Sequence, residues 1–421
     1  GGIPVDRSRK TSLVDQMIKI AKSSQKFHLA ITPEGTRKAN PNWKKGFYYI
    51  AQGAGLPIIL VAIDYEKKCI TAEKVIHPSG DLDKDMREIK LYYKNFKGKY
   101  PENFRWKHLD INDDEELSDF CGECDVVLNC AGPAYVLFEK VALASARAGA
   151  VYVDVTDALM FNDEVMSRVD GKGKFYIAAG YYPGITGVML KKVIEQFDRI
   201  DSLTGYSGGS EIYSVMSYLD IIMSGSSPRC INGYYKNGKP VKCGNGFESC
   251  DNELFDKKIM MKQFLGNELY SALKTYPDDM IEECRWYNIT SDNVVGLMAM
   301  KYYQLCNEMD FHQLYSELSK YLEKIETKTP NDEWSLLYII AKGIKDDEIK
   351  NVKLRIDLKN TMDITAYSAA SVILAVLERN DDIGIYWAND ILSENIMDDY
   401  RKKCKEKGIY CGWQFDEEYE I

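Results

Sequence analysis

The chain has 421 residues, too many for one ordinary hydrophobic core, so two or three domains are expected. Hydrophobic residues make up 45% and charged residues 28%, which excludes a disordered chain, and the longest notable apolar stretch, Leu56 to Ile63, is far short of the about twenty residues of a membrane span. The net charge of −10 is uneven: residues 1–104 hold 19 Lys and Arg against 11 Asp and Glu, and the remainder 35 against 53, so the acidic remainder argues against nucleic acid as a partner.

From Thr11 to Ala21 the apolar residues Leu13, Val14, Met17, Ile18 and Ala21 recur at helical spacing. Phe27 to Ile31 reads as a strand running into the turn Thr32 to Arg37. Lys45 to Gly53 reads as a helix, Leu56 to Ile63 as an apolar strand, and Met86 to Phe96 as a basic helix. Lys97 to Pro101 is turn-rich and marks a first boundary. Beyond it strands and helices alternate. Asp125 to Asn129 is a buried-type strand ending at Gly132-Pro133, Leu137 to Ala148 an Ala-rich helix, and Val151 to Val155 and Phe175 to Ala179 are strands. A helix from Gly184 to Phe197 opens just after Pro183. Such alternation predicts a parallel sheet with crossover helices. Leu336 to Ala341 and Val352 to Leu358 flank a turn at Gly343 to Asp347 and read as a hairpin, and Ala366 to Glu378 as a helix.

Eleven cysteines are scattered without repeating spacing. Cys121 and Cys124 form one C-x-x-C pair with no second pair at zinc spacing, so reduced thiols, no metal and a cytoplasmic location are expected. No signal peptide is apparent, and the opening Gly1-Gly2 in place of Met points to a start further upstream.

The blocks Gly1 to Arg7, Pro33 to Arg37 and Leu56-Pro57-Ile58-Ile59 together resemble the lysophosphatidate, or glycerol-3-phosphate, acyltransferase family over residues 1–104. In Glu34-Gly35-Thr36-Arg37, Gly35 permits close backbone approach to a phosphate, Thr36 offers a hydroxyl and Arg37 a bidentate fork, with Arg7 as a second cation. The resemblance implies an acyl-CoA or acyl-carrier-protein thioester as co-substrate and contact with lysophospholipid or a membrane surface through these basic residues. That chemistry needs a His followed by an Asp five positions later as general base. His28 is followed at that distance by Pro33 and His77 by Leu82. His108 has Asp113, but after the phosphate turn and within the second pattern. The family's pair lies upstream of the first block, so these residues read as a binding portion without its base.

Residues 105–421 resemble the saccharopine dehydrogenase family through His108 to Asn112, Asp125 to Pro133, Tyr152 to Asp154 and Pro183 to Gly187, and more weakly through Asp363 to Ala366 and Gly384-Ile385. The resemblance implies an NAD- or NADP-dependent oxidoreductase acting on small molecules, with Asp110, Asn129, Cys130, Ala131, Gly132 and Pro133 on the cofactor and Asp154, Tyr182, Pro183 and Gly184 on the substrate. The turn at Asn129 to Pro133 falls at the carboxyl edge of a parallel strand, where open α/β sheets bind ligands. The amides after Pro183 suit a carboxylate or phosphate. The family's first strand and glycine-rich pyrophosphate turn are missing. The only similar glycines, Gly53-Ala54-Gly55, belong to the first pattern.

The expected fold class is therefore α/β: a truncated acyltransferase α/β domain (1–104), a partial Rossmann-type parallel sheet (105–200) and an α+β substrate domain (201–421). Three functions follow: a saccharopine-dehydrogenase-like oxidoreductase fused to an acyltransferase fragment, an acyltransferase of phospholipid synthesis, or a non-catalytic product of a join or deletion.

Overall fold

Apolar residues on one side of short helices and a hairpin give residues 1–108 their own core. The computed structural model describes residues 13–24, 26–33, 43–64, 67–93, 96, 107–211, 213–225, 227–243, 248–250, 259–291, 309–325 and 333–420. The chain divides into two compact units, 1–108 and 109–421. In the first, α1 (Leu13–Ser23) buries Met17 and Ala21, and α2 (Gly46–Ala54) stops at Gly55, whose φ of 67° only glycine adopts readily. Strands β1 (Ile58–Asp64) and β2 (Cys69–Ile76) pair antiparallel, and α3 (Leu82–Tyr93) follows. Leu60, Ile76, Met86 and Ile89 form the core. Buried Asp85 ties the loop before α3, accepting the Ser79 amide at 2.7 Å and the Tyr48 hydroxyl at 2.8 Å.

One expectation is corrected here. Phe27 to Ile31 forms no strand; Leu29 and Ile31 are more than a third exposed, and the segment has no ladder partner among the described residues. The strand β2 had no clear period, because Glu73 and Lys74 interrupt its alternation. Two antiparallel strands and three helices are what the described residues of this unit contain, so the expected acyltransferase α/β domain is not shown.

The second unit begins with α4 (Asp114–Gly122), then β3 (Val126–Asn129), α5 (Ala134–Leu137), α6 (Lys140–Ala148), β4 (Val151–Asp154), α7 (Asp163–Val169), β5 (Lys174–Ile177) and α8 (Ile185–Ile194). There follow β6 (Arg199–Ser210), α9 (Val215–Ser224), β7 (Gly233–Lys236), β8 (Lys239–Lys242), β9 (Glu248–Cys250), β10 (Ile259–Gln263), α10 (Asn267–Leu273) and β11 (Glu283–Ser291). The last elements are α11 (Phe311–Ile325), β12 (Trp334–Lys345), β13 (Glu348–Leu358), α12 (Met362–Leu377), β14 (Gly384–Trp387), α13 (Ile396–Lys407) and β15 (Cys411–Glu420).

The protein is thus mixed α/β with a wholly parallel four-stranded sheet, ordered β14-β5-β4-β3. Alternate residues of each strand face opposite layers: Tyr152, Phe175 and Ile177 pack toward α6 and α7, while Val153 and Tyr176 pack with Val372 and Val376 of α12. Burial on both faces explains the continuous apolar runs. A nine-stranded mixed sheet carries the main path β15-β13-β12-β6-β11-β10-β9. Its core joins α8, α10 and α13 through Leu190, Leu269, Trp286, Leu354 and Met397.

The helix expected over Leu137 to Ala148 is broken at Phe138, whose φ is 45°. The hairpin turn sits at Asp346 and Asp347, both at positive φ, three residues shorter than the segment Gly343 to Asp347, because Gly343, Ile344 and Lys345 pair in the ladder. Residues 107–113 are coil and turn: Asp110 Oδ1 accepts the Asn112 amide, and Asp113 accepts the Glu116 amide at the opening of α4.

Candidate active site

At the carboxyl edge of the parallel sheet, register places Asn129 of β3 opposite Asp154 of β4. The Asn129 amide group donates to the Tyr152 hydroxyl and to Asp154 Oδ2, each at 3.0 Å, while its Oδ1 accepts the Ala131 amide at 3.1 Å. The Tyr152 hydroxyl also donates to Asp154. Asp154 Oδ1 accepts the Thr156 amide at 2.8 Å and hydroxyl at 3.0 Å. Burial pushes the Asp154 carboxyl up, against four hydrogen bonds that hold it down. Asn129 and Asp154 therefore shape the turn from inside. What the turn presents to solvent is Cys130, Ala131 and Gly132, followed by buried Pro133 after a cis peptide bond. Burial and Asp154 raise the Cys130 thiol above its ordinary value.

Helix α9 closes beneath this turn. Asp220 Oδ1 accepts the Tyr135 amide at 3.4 Å, and a Cβ added at Gly132 would stand 3.2 Å from Asp220 Oδ2. Burial lifts the Asp220 carboxyl to about 7, with the Tyr135 and Ala134 amides opposing. A carboxyl titrating there can give or take a proton at neutral pH.

The second turn, at Tyr182-Pro183-Gly184, is also cis at its proline. Gly184 has φ 137°, and any side chain there would collide with the carbonyl oxygens of Gly180 and Ala178. The amides expected to receive a ligand anion are given to the chain's own Glu268. Its Oε1 accepts Gly184 N at 2.7 Å and Gly187 N at 2.9 Å, and its Oε2 accepts the Thr186 hydroxyl at 2.8 Å. Burial nevertheless pushes Glu268 up to about 8. Tyr182 points elsewhere, donating its hydroxyl to Asn288 Oδ1 at 3.0 Å.

A cavity of about 320 Å³ lies within the larger unit between these elements. Four tyrosines line it, Tyr135, Tyr182, Tyr213 and Tyr218, with the acids Asp157, Glu211, Asp220 and Glu268 and the amine of Lys262. Glu211 Oε2 accepts the Thr361 amide at 2.9 Å and hydroxyl at 3.0 Å, while burial raises its carboxyl. The Tyr135 hydroxyl donates to Asp157 at 2.6 Å. Lys262 is buried, its ammonium 5.9 Å from the Phe264 ring centroid. Mostly aromatic and aliphatic walls with a few convergent polar groups suit a small organic molecule.

Of the residues singled out from sequence, the structure gathers Asn129 to Pro133 with Asp154 at one turn, and sets Tyr182 and Pro183 on the cavity wall. Asp110 is not in that lining; it is exposed, its Oδ1 accepting the Asn112 amide at 2.9 Å. Asp113 caps α4 through the amides of Glu115 and Glu116. Arg7 and Glu34, Gly35, Thr36 and Arg37 lie outside the described residues. Sequence reasoning missed Glu211, Asp220, Lys262 and Glu268. Only Gly208-Gly209, an interruption within a strand, signalled a close approach there. Among the described residues no group of three or more His, Cys, Asp or Glu could hold a metal ion, and no helix is long and apolar enough to cross a membrane.

No protein-family model matches the chain, and no curated protein matches it. Among solved structures it is similar to a dehydrogenase (MviM) from Clostridium difficile, at 10% identity over 76% of this chain and 87% of that one, with a TM-score of 0.30. A candidate dehydrogenase from Thermotoga maritima gives 10% identity over 70% and 82%, with a TM-score of 0.31. A candidate oxidoreductase from Magnetospirillum magnetotacticum MS-1 gives 10% identity over 57% of this chain, which spans 60% of that protein's length, with a TM-score of 0.27. Likenesses at this level establish neither a shared fold nor a shared activity.

Proposed function

We propose that residues 109–421 form an NAD(P)-linked oxidoreductase unit whose cavity takes a small organic substrate. The observation that carries this reading is a juxtaposition. The exposed turn at the carboxyl end of β3 and the cavity share one wall, helix α9, whose Asp220 touches the turn at Gly132 and lines the cavity. Ligands of parallel sheets lie beyond the carboxyl ends of the strands. The resemblance of Asp125 to Pro133 and Pro183 to Gly187 to saccharopine dehydrogenases supports the same class.

Cys130, Ala131 and Gly132 fit the nicotinamide side of the cofactor, since small exposed residues leave its face room. The bound cofactor would supply the hydride acceptor or donor. Asp220 can hold or release the accompanying proton, and Tyr182, Lys262 and Asn288 can orient polar groups of a substrate. The parallel sheet starts at β3 among the described residues, so no glycine-rich turn of an earlier strand supports the pyrophosphate there. Remote binding energy of that kind normally positions the reacting end, and its loss sets the expected affinity near millimolar, about −4 kcal/mol.

Ligand-observed NMR of the purified chain with NADPH tests the reading. Binding near millimolar that disappears in Gly132→Val is expected. No binding by the unaltered chain would sink it, and micromolar binding would reveal a pyrophosphate site elsewhere in the chain.

A further inference from the structure

Asp220 stands on an anchored helix. Leu219 and Ile222 of α9 are buried with Leu314, Leu318 and Leu322 of α11, and the Tyr135 amide donates to Asp220 Oδ1, which keeps the carboxyl group beside Gly132. The groups near it are acidic or neutral: Asp154 of β4, and Tyr135, Asp157, Tyr218 and Cys230, which line the same cavity. Its partners from α5 are backbone amides, and α11 contributes apolar residues to α9. Lys262 is the cation lining the cavity, and it lies in β10 beside Asn288, across a different strand pair.

We propose that Asp220 makes this site discriminate between redox states of the cofactor, its carboxylate beside Gly132 favouring the positively charged oxidised nicotinamide over the neutral reduced ring. The inference rests on the cofactor reading above. An opposite charge brought close to a carboxylate stabilises its ionised form by about one pH unit or more. By reciprocity, ionised Asp220 holds the oxidised ring about tenfold more tightly than protonated Asp220 does. The reduced ring carries no charge there and gains nothing. Because the carboxyl group titrates at about 7, preference for the oxidised form switches on as pH rises through neutrality.

The test is equilibrium dialysis of the full chain with NADP+ and with NADPH, from about pH 6 to about pH 8, one unit either side of the titration. The ratio of the two dissociation constants cancels the ribose phosphate, which titrates in both forms. The ratio should move about fivefold toward NADP+ across that range, since Asp220 is already partly ionised at its lower end, stay flat in Asp220→Asn, and move again in Asp220→Glu, which keeps the charge. Melting curves of both variants establish that they are folded. A pH-independent ratio in the unaltered chain, or a pH-dependent one surviving in Asp220→Asn, overturns the proposal while leaving the cofactor reading intact. Absence of binding by either form at every pH overturns the cofactor reading, and this inference with it.

Discussion

Glu268 occupies two amides and a hydroxyl at the start of α8 that would otherwise receive a ligand anion, yet its carboxyl group is lifted to about 8. At neutral pH the protonated acid can still accept both amides on Oε1 while its own O–H turns to the Thr186 oxygen. A raised acid binds its proton more tightly in the folded chain than in the unfolded one, where it titrates near 4.5. Between those values the folded state holds the extra proton, so stability falls as pH rises from about 4.5 to about 8. The fall from this residue is about 3–5 kcal/mol. Asp220 adds a fall of the same sign between 3.8 and about 7. Glu268→Gln should therefore flatten the decline in melting temperature from acid to mildly alkaline pH, leaving the part due to Asp220. A variant as steep as the original would show that Glu268 is ionised in the folded chain throughout.

Among the elements, α9, backed by α11, sets where Asp220 stands. Leu318 of α11 is fully buried against Tyr218, Leu219 and Ile222 of α9. Leu318→Ala should cost about 2–5 kcal/mol, read as a lower denaturation midpoint, and should weaken NADPH binding, since α9 positions Asp220 under the turn. Unchanged binding in a destabilised variant would separate the helix packing from the site. Neither helix announced itself in the sequence, because neither carries a motif, and the cavity is assembled from residues up to 150 positions apart, as in the Thr361–Glu211 contact. The turn at Asn129 to Pro133 was legible for the opposite reason: strand, turn and helix are contiguous there, and a Gly-Pro step after an apolar run has few other uses. The helix after it was legible only in part. Phe138 at φ 45° breaks a run whose Ala-rich pattern is helical throughout, a tertiary effect that local propensity does not contain. Strand β14 joins the parallel sheet from near the end of the chain, beside β5, and its four residues were too short to show a period.

At the scale of the whole molecule, the division at residue 108 separates two cores of unequal size. Leu60, Ile76, Met86 and Ile89 form a small one in residues 1–108, while the larger unit has Leu190, Leu203, Trp286 and Leu354 among many fully buried side chains. Small units bury a smaller share of their surface and are correspondingly less stable. Units with separate cores also unfold as separate cooperative blocks. Calorimetry of the full chain should therefore show two transitions, the cooler one belonging to residues 1–108. Leu60 is 3% exposed and Leu190 is fully buried, so each is a clean probe of its own core. Leu60→Ala should lower the cooler transition by about 8 °C or more, and Leu190→Ala the warmer one by about 4 °C or more, each leaving the other in place. A single transition that moves with both substitutions would mean that the two cores melt as one. In that case the larger unit's proposed oxidoreductase site would depend for its stability on residues 1–108, and not on its own packing alone.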